Sequence, residues 1–281
     1  DISPDMIDGE VIFDASLYDP ESFLVSYSNP DPTVEEAEMP VIIVSHGYSA
    51  STFEWNEFRE WNESNPEILI SQVLLSGHGR TYEEFKTSNW QDWSGSILEE
   101  YDRLVMSGYK NIHFAGSSAS STLILNIINS GYFNDKIVPG NIFLIDPIII
   151  PSSKSLSLVG LIGPMLGYIE ADNTSDEDKY WYHFRPEETL RELMNLMNEV
   201  RKDLQKGIIL PPGCAFKIYK SKRDPTADPA GAVLIYKGVR SANGDPIDIE
   251  MAQDGLRLAQ EAIREKKCDV LILDEINVAV E

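Results

Sequence analysis

Apolar positions fall into two textures along the chain. Val41-Ile42-Ile43-Val44-Ser45, Ile68 to Leu75, Asn111 to Ala115, Ile142 to Ile150 and Ala215 to Tyr219 are short apolar runs rich in β-branched residues, the pattern of strands buried on both faces. Between them, apolar residues recur at intervals of three and four. Ile97, Leu98, Tyr101, Leu104 and Val105 form one such face, and Leu123, Ile124, Ile127 and Ile128 form a second that stops at Gly131. A third, Leu190, Leu193, Met194, Met197 and Leu204, opens with Pro186-Glu187-Glu188, whose proline and acids suit a helix start. Strand and helix in alternation predict an α/β chain with a mostly parallel sheet covered by helices. Residues 1–39 read as a hairpin followed by an acidic turn, and Ile247 to Met251 as a last strand.

The chemistry sits where runs stop. In Gly116-Ser117-Ser118-Ala119-Ser120 a strand gives way to a helix through small residues. This is a near match to G-x-S-x-G, in which a strained turn holds a serine hydroxyl out of the backbone, with Ser120 in place of the second glycine. The alternative is a polar helix cap. His46-Gly47-Tyr48 follows another strand and reads either as a loop aiming main-chain N–H groups at a developing oxyanion or as an ordinary strand-to-helix turn. Gly77-His78-Gly79-Arg80 ends a third, where the histidine reads as a loop-fixing residue. Asp224-Pro225 closes the Ala215 to Tyr219 strand on a turn.

The His46-Gly47, Gly77-His78-Gly79-Arg80 and Gly116 to Ser120 loops, in this chain order and spacing, resemble the α/β-hydrolase superfamily, in particular its carboxylesterase and monoglyceride-lipase-like members. The likeness covers about residues 40–252, roughly three quarters of the chain. It implies a serine nucleophile, an acid and a histidine in chain order: Ser118 attacking an acyl carbonyl, N–H groups near Tyr48 and Ala119 holding the oxyanion, and Asp224 orienting the base, with Asp228 as substitute acid. It also implies a cap, here about residues 151–206, whose stretch Ser157 to Ile169 suits either a lid over an acyl pocket or a buried hairpin.

Charge and composition narrow the partners. The net charge of −23 repels phosphate backbones and anionic headgroups, which argues against nucleic-acid binding. No apolar run is long enough to span a membrane, and the expected partner is a small acyl ester or acyl ligand. Cys214 and Cys268 have no metal-ligand spacing, so neither disulfide framework, metal nor other cofactor is expected. A start at Asp1 leaves both an exported and a cytoplasmic location open.

The histidine expected after Asp224 is missing. The chain has four histidines, His46, His78, His113 and His183, and all precede the acid. His183, on the cap among aromatic residues, is a weak candidate for the base. In the histidine's place stands a tail of about 27 residues, 255–281, read as a helix followed by the strand Cys268 to Leu273 and the acids Asp274 and Glu275. This tail resembles a stretch of the corrinoid adenosyltransferases, which would make Asp274 and Glu275 ligands of a metal–nucleotide site. No G-x-x-x-x-G-K-[ST] accompanies it. The expected organisation is therefore a hydrolase-like domain over residues 1–254 and an atypical tail. The ancestral function expected is ester hydrolysis by a serine acyl-enzyme, while the missing histidine favours an inactive chain. The alternatives are a silent binding protein of the same fold and, remotely, an activity related to the tail.

Overall fold

A computed structural model of the chain describes residues 29–64, 66–151, 167–171, 173–174, 177, 180–221, 224, 226–241 and 270–273. In chain order the elements are α1 (Val34–Glu38), β1 (Val41–Ser45), a 3-10 turn (Thr52–Trp55), α2 (Asn56–Glu63), β2 (Leu69–Val73), α3 (Tyr82–Thr87), α4 (Trp90–Met106), β3 (Ile112–Ser117), α5 (Ala119–Asn129) and β4 (Asn141–Ile145). They continue with β5 (Tyr168–Glu170), β6 (Phe184–Pro186), α6 (Glu187–Lys206), β7 (Ile208–Leu210), β8 (Ala215–Ser221), α7 (Ala230–Gly238), β9 (Val239–Ser241) and β10 (Val270–Leu273). Two compact units are present, Asp1–Lys110 with Lys154–Asn195, and Asn111–Ser153 with Leu196–Glu281.

In the first unit β1 and β2 pair in parallel, Val41 opposite Leu69 through Ser45 opposite Val73. Both are buried along most of their length, as their unbroken apolar runs require. Helix α4 buries Trp93, Ile97, Tyr101 and Leu104 on one face. Its start is fixed by a capping box in which Asn89 accepts from the Asp92 N–H and Asp92 reaches back to the Asn89 N–H. The Trp93 indole N–H, buried with the ring, donates to Ser88 Oγ at 2.9 Å, so its burial leaves no orphaned donor. Strands β5 and β6 form a short antiparallel pair, with Glu170 opposite Phe184.

In the second unit β4 lies between β3 and β8, and both pairings are parallel. β10 adds to β8 antiparallel, Val270 opposite Ser221, and β7 pairs in parallel with β9. Helix α5 buries Leu123, Ile124, Leu125, Ile127 and Ile128 and ends before Gly131, which adopts φ 74°. The architecture is the expected one, a mostly parallel sheet flanked by helices.

Some boundaries differ from expectation. The acidic turn before residue 39 is helix α1, closed by a Thr33–Glu36 capping box. The Ile142 to Ile150 run is a strand only to Ile145, because Asp146 turns the chain with φ 45°. Ile148 and Ile149 are buried nonetheless, so their apolarity reflects burial and not strand. The N-terminal hairpin, most of the 157–169 lid segment, the Ile247 to Met251 strand and the 255–267 helix lie outside the described residues, as do Asp274 and Glu275.

Candidate active site

Ser118 joins β3 to α5 with φ 48° and ψ −108°, a conformation that costs a non-glycine residue on the order of 1–3 kcal/mol. Two backbone bonds hold it. Its N–H donates to Ile145 O at 2.8 Å and its carbonyl accepts from Ile148 N at 3.3 Å. Its hydroxyl does not cap the helix and has no hydrogen bond among the described residues, so the helix-cap alternative is not the one adopted. The other hydroxyls of this stretch have structural partners. Ser121 Oγ donates to Gly116 O at 2.6 Å and Thr122 Oγ1 to Ile148 O at 2.8 Å, which ties α5 to the turn after β4.

Gly116 permits the close approach. A Cβ there would lie 2.7 Å from Ile124 Cδ1 and 2.8 Å from both Ser120 C and Ser121 N. Two of those three atoms are backbone and cannot step aside. Gly116→Ala is expected to destabilise the chain by about 1–3 kcal/mol in urea unfolding, and an unchanged midpoint would show that the elbow tolerates a wider strand–helix gap. Ser120, where the motif has its second glycine, is completely buried.

Asp224 follows β8, and its side-chain partners are not histidines. Lys220, with 1 % of its side chain exposed, donates to Asp224 Oδ2 at 2.6 Å and to Asp146 Oδ1 at 2.9 Å. Asp224 Oδ1 accepts from Thr226 N and Thr226 Oγ1, both at 2.7 Å, and from Ala227 N at 3.2 Å. Burial pushes the Asp224 carboxyl upward, but the hydrogen bonds from Lys220 and Thr226 outweigh it, and its pKa ends below the usual carboxylate range. Asp146 also accepts from Ser221 N at 2.6 Å, again at Oδ1. Asp228, the substitute acid, accepts from Ala230 N at the start of α7, which is helix-start chemistry. Sequence reading missed Lys220 and Asp146. The signal was present: Phe216, Ile218 and Lys220 alternate on the buried face of β8, and a lysine there requires anionic partners.

In the first unit, the His46 loop is pinned by its own side chains. His46 donates from Nδ1 to Gly47 O at 2.8 Å and accepts at Nε2 from Leu75 N at 3.1 Å, so both ring nitrogens are committed and the neutral tautomer is fixed. Burial lowers its pKa to about 4. Gly47 N donates to Glu54 and Ala50 N to Gly47 O, whereas the Tyr48 N–H meets no acceptor among the described residues. The Tyr48 hydroxyl donates to Thr189 Oγ1 at 2.8 Å, since Thr189 spends its own proton on Pro186 O.

His78 is wholly buried, with its ring centroid 4.6 Å from Phe85, 5.4 Å from Trp93 and 5.1 Å from His46. Burial, with the neighbouring His46, holds its pKa well below the ordinary value. The loop it belongs to is clamped by Tyr182, whose hydroxyl donates to Arg80 O at 2.6 Å and accepts from Arg80 N at 3.1 Å. His183 Nε2 lies 2.9 Å from Glu170 Oε1. In the second unit His113 accepts at Nδ1 from Asn141 N at 2.9 Å, near the amino end of β3. Among the described residues no imidazole bonds Ser118 or Asp224, and no group of three or more His, Cys, Asp or Glu is placed to hold a metal. No helix among them is long and apolar enough to cross a membrane.

No protein-family model matches the chain, and no curated protein matches it by sequence. Solved structures do match. A structure described with the metagenome-derived lipolytic enzymes LipS and LipT has a TM-score of 0.60 at 17% identity, covering 80% of this chain and 94% of that one. The soluble variant of Saccharomyces cerevisiae monoglyceride lipase, in complex with a substrate analogue, has a TM-score of 0.57 at 11% identity, covering 83% and 89%. The Paleococcus ferrophilus monoacylglycerol lipase has a TM-score of 0.55 at 12% identity, covering 81% and 96%. At such identities the likeness speaks to architecture alone, and by that measure the chain has the α/β-hydrolase fold.

Proposed function

We propose that the chain is a serine hydrolase of carboxylic esters that works through an acyl-enzyme. The observation that carries this reading is the backbone of Ser118. A strained φ is maintained by two hydrogen bonds and by a glycine-only contact at Gly116, while the hydroxyl it presents is used for nothing structural. Strain held in place by its surroundings marks a position whose geometry matters more than its local stability.

In the reaction, Ser118 Oγ bonds to the ester carbonyl carbon and its proton passes to a base. The carbonyl oxygen becomes an oxyanion, stabilised by the Ala119 N–H at the start of α5. The alkoxy group then leaves with the proton, and water hydrolyses the acyl-enzyme by the same steps reversed. The dipole at the helix start favours the negative charge at that point. The carboxylate comes from the cluster of Asp146, Lys220 and Asp224, in which Asp224 follows β8, where the fold family keeps its acid. The base is the unassigned member, with His183 the candidate that already carries a carboxylate partner. That several solved proteins of this architecture are described as lipases supports an ester substrate.

A silent binding protein is the second reading, and one observation favours it: Asp224 is committed to Lys220, Thr226 and Ala227 rather than to an imidazole. Reaction with a fluorophosphonate separates the two. A hydrolase should acquire one adduct at Ser118, located by peptide mass spectrometry and absent from Ser118→Ala. A chain that binds a fluorescent fatty acid but never forms the adduct would be the silent protein.

A further inference from the structure

Strand register brings three chemically distinct groups into one row at the carboxyl end of the second unit's strands. Ser117 lies opposite Ile145, and Ile145 opposite Tyr219. The next residue of each, Ser118, Asp146 and Lys220, therefore lies at the same level. The steps repeat: Ser118 N donates to Ile145 O and Asp146 N donates to Tyr219 O, each at 2.8 Å. With a strand spacing of about 4.8 Å, the Asp146 backbone is one step from the candidate nucleophile. The Lys220 ammonium bonds Asp224 as well, and so joins the two carboxylates.

The two carboxylates are not equivalent. Asp224 has both oxygens engaged, Oδ1 by three donors and Oδ2 by Lys220, with 9 % of its side chain exposed. Asp146 takes Lys220 and Ser221 N on Oδ1 alone, and is 30 % exposed. Its Oδ2 has no hydrogen bond among the described residues. A carboxylate that orients an imidazole needs an acceptor position still open, and Asp146 has one, on a residue whose backbone lies one strand over from Ser118. Lys220 donates in both of its bonds, so it acts here as a cation that fixes Asp146, not as a base.

We infer that Asp146 is the positioning carboxylate of the Ser118 site, with Lys220 holding it in place and Asp224 anchoring Lys220. This rests on the reading of Ser118 as the nucleophile. Asp146 acts through an imidazole: its open oxygen accepts the ring N–H while the other ring nitrogen takes the serine proton. Against a fluorophosphonate the step forms the Ser118 Oγ–P bond, breaks P–F with the electron pair leaving on fluoride, and leaves the proton on the ring as imidazolium.

Free imidazole makes this testable in the full chain without assigning the natural base. The rate of Ser118 labelling is measured against imidazole concentration and pH in the wild type, Asp146→Asn, Asp146→Glu, Asp224→Asn, Lys220→Met and Lys220→Arg. Asparagine tolerates the left-handed φ of position 146, so Asp146→Asn keeps its turn, and circular dichroism checks each fold. The expected result is an imidazole-dependent rate that rises as imidazole loses its proton and falls tenfold or more, as an order of magnitude, in Asp146→Asn. Asp146→Glu and Lys220→Arg should recover part of it, Lys220→Met should lose it, and Asp224→Asn, which loosens the anchor of Lys220, should lose less than Asp146→Asn. The inference is overturned if imidazole has no effect, if the imidazole-dependent and imidazole-independent rates fall together, or if Asp224→Asn loses more than Asp146→Asn. A wild-type chain that forms no Ser118 adduct under any condition would remove the hydrolase reading itself, and this inference with it.

Discussion

Turnover of short p-nitrophenyl esters by this chain is expected to stay close to what binding and oxyanion donors supply without a base, roughly 10³ to 10⁴ over water. A serine hydroxyl is a poor nucleophile near neutral pH unless an adjacent group accepts its proton. Two of the four histidines are spent on packing: His46 has both nitrogens bonded and His78 is sealed among aromatic rings. Restoring the base should therefore have a large effect. Because β10 is hydrogen-bonded along β8 over Ile218 to Ser221, a graft that leaves Val270–Leu273 intact and places a histidine-bearing loop within residues 255–269 disturbs the acid end of β8 least. Such a graft should raise kcat/KM by two or more orders of magnitude, about 3 kcal/mol of transition-state stabilisation, and Ser118→Ala should return the gain to nothing. Brisk hydrolysis by the unaltered chain would instead mean that one of its own histidines serves. His183→Ala is then the decisive substitution, since His183 has a carboxylate on its ring nitrogen.

The strands and the elbow were legible because they depend on local composition. A β-branched run has few alternatives to a buried strand, and Gly116 followed by small residues has few alternatives to a tight strand–helix junction. Length was less legible. Ile142 to Ile150 reads as one strand, yet Asp146 ends it by adopting a left-handed φ, and the isoleucines beyond it are buried in a turn. Burial sets the hydrophobic pattern, and a packed turn and a strand satisfy it equally. Thr33 and Glu36 show the converse: a capping-box spacing was present and an acidic turn was read where a helix forms.

The site was legible one residue at a time but not in its pairings. Asp224 follows its strand as expected, but nothing adjacent in sequence says that its partner is Lys220 or that Lys220 also binds Asp146, seventy-four positions away. That pairing is set by β8 lying beside β4, a long-range fact that periodicity does not carry. The buried-face position of Lys220 could have prompted the search, because a lysine taken out of water there must find a carboxylate.

Acid should weaken this fold well before its carboxylates titrate, and the first unit's buried histidines are the reason. His46 is wholly buried, and burial depresses its pKa from 6.5 to about 4, with the hydrogen bond to Gly47 opposing only in part. His78 is depressed in the same direction by burial and by His46, whose ring centroid is 5.1 Å away. In the unfolded chain both titrate near 6.5. Below that pH the unfolded state binds protons that the folded state refuses, so stability is fully present above about 6.5 and is lost as pH falls toward 4. For His46 alone the loss across that window is about 3 kcal/mol, a large share of the 5–15 kcal/mol typical of a folded chain. The carboxylate contribution at Asp224, whose folded pKa is lowered, runs out only at lower pH still. Urea unfolding at a series of pH values should show stability falling between pH 6.5 and 4 by about 1.4 kcal/mol per unit for each histidine. His46→Gln, which keeps a polar group but removes the titration, should flatten the curve by roughly one histidine's share. A wild-type profile that is flat across this window would mean that His46 and His78 gain protons in the folded state, and that the cluster around them opens to water.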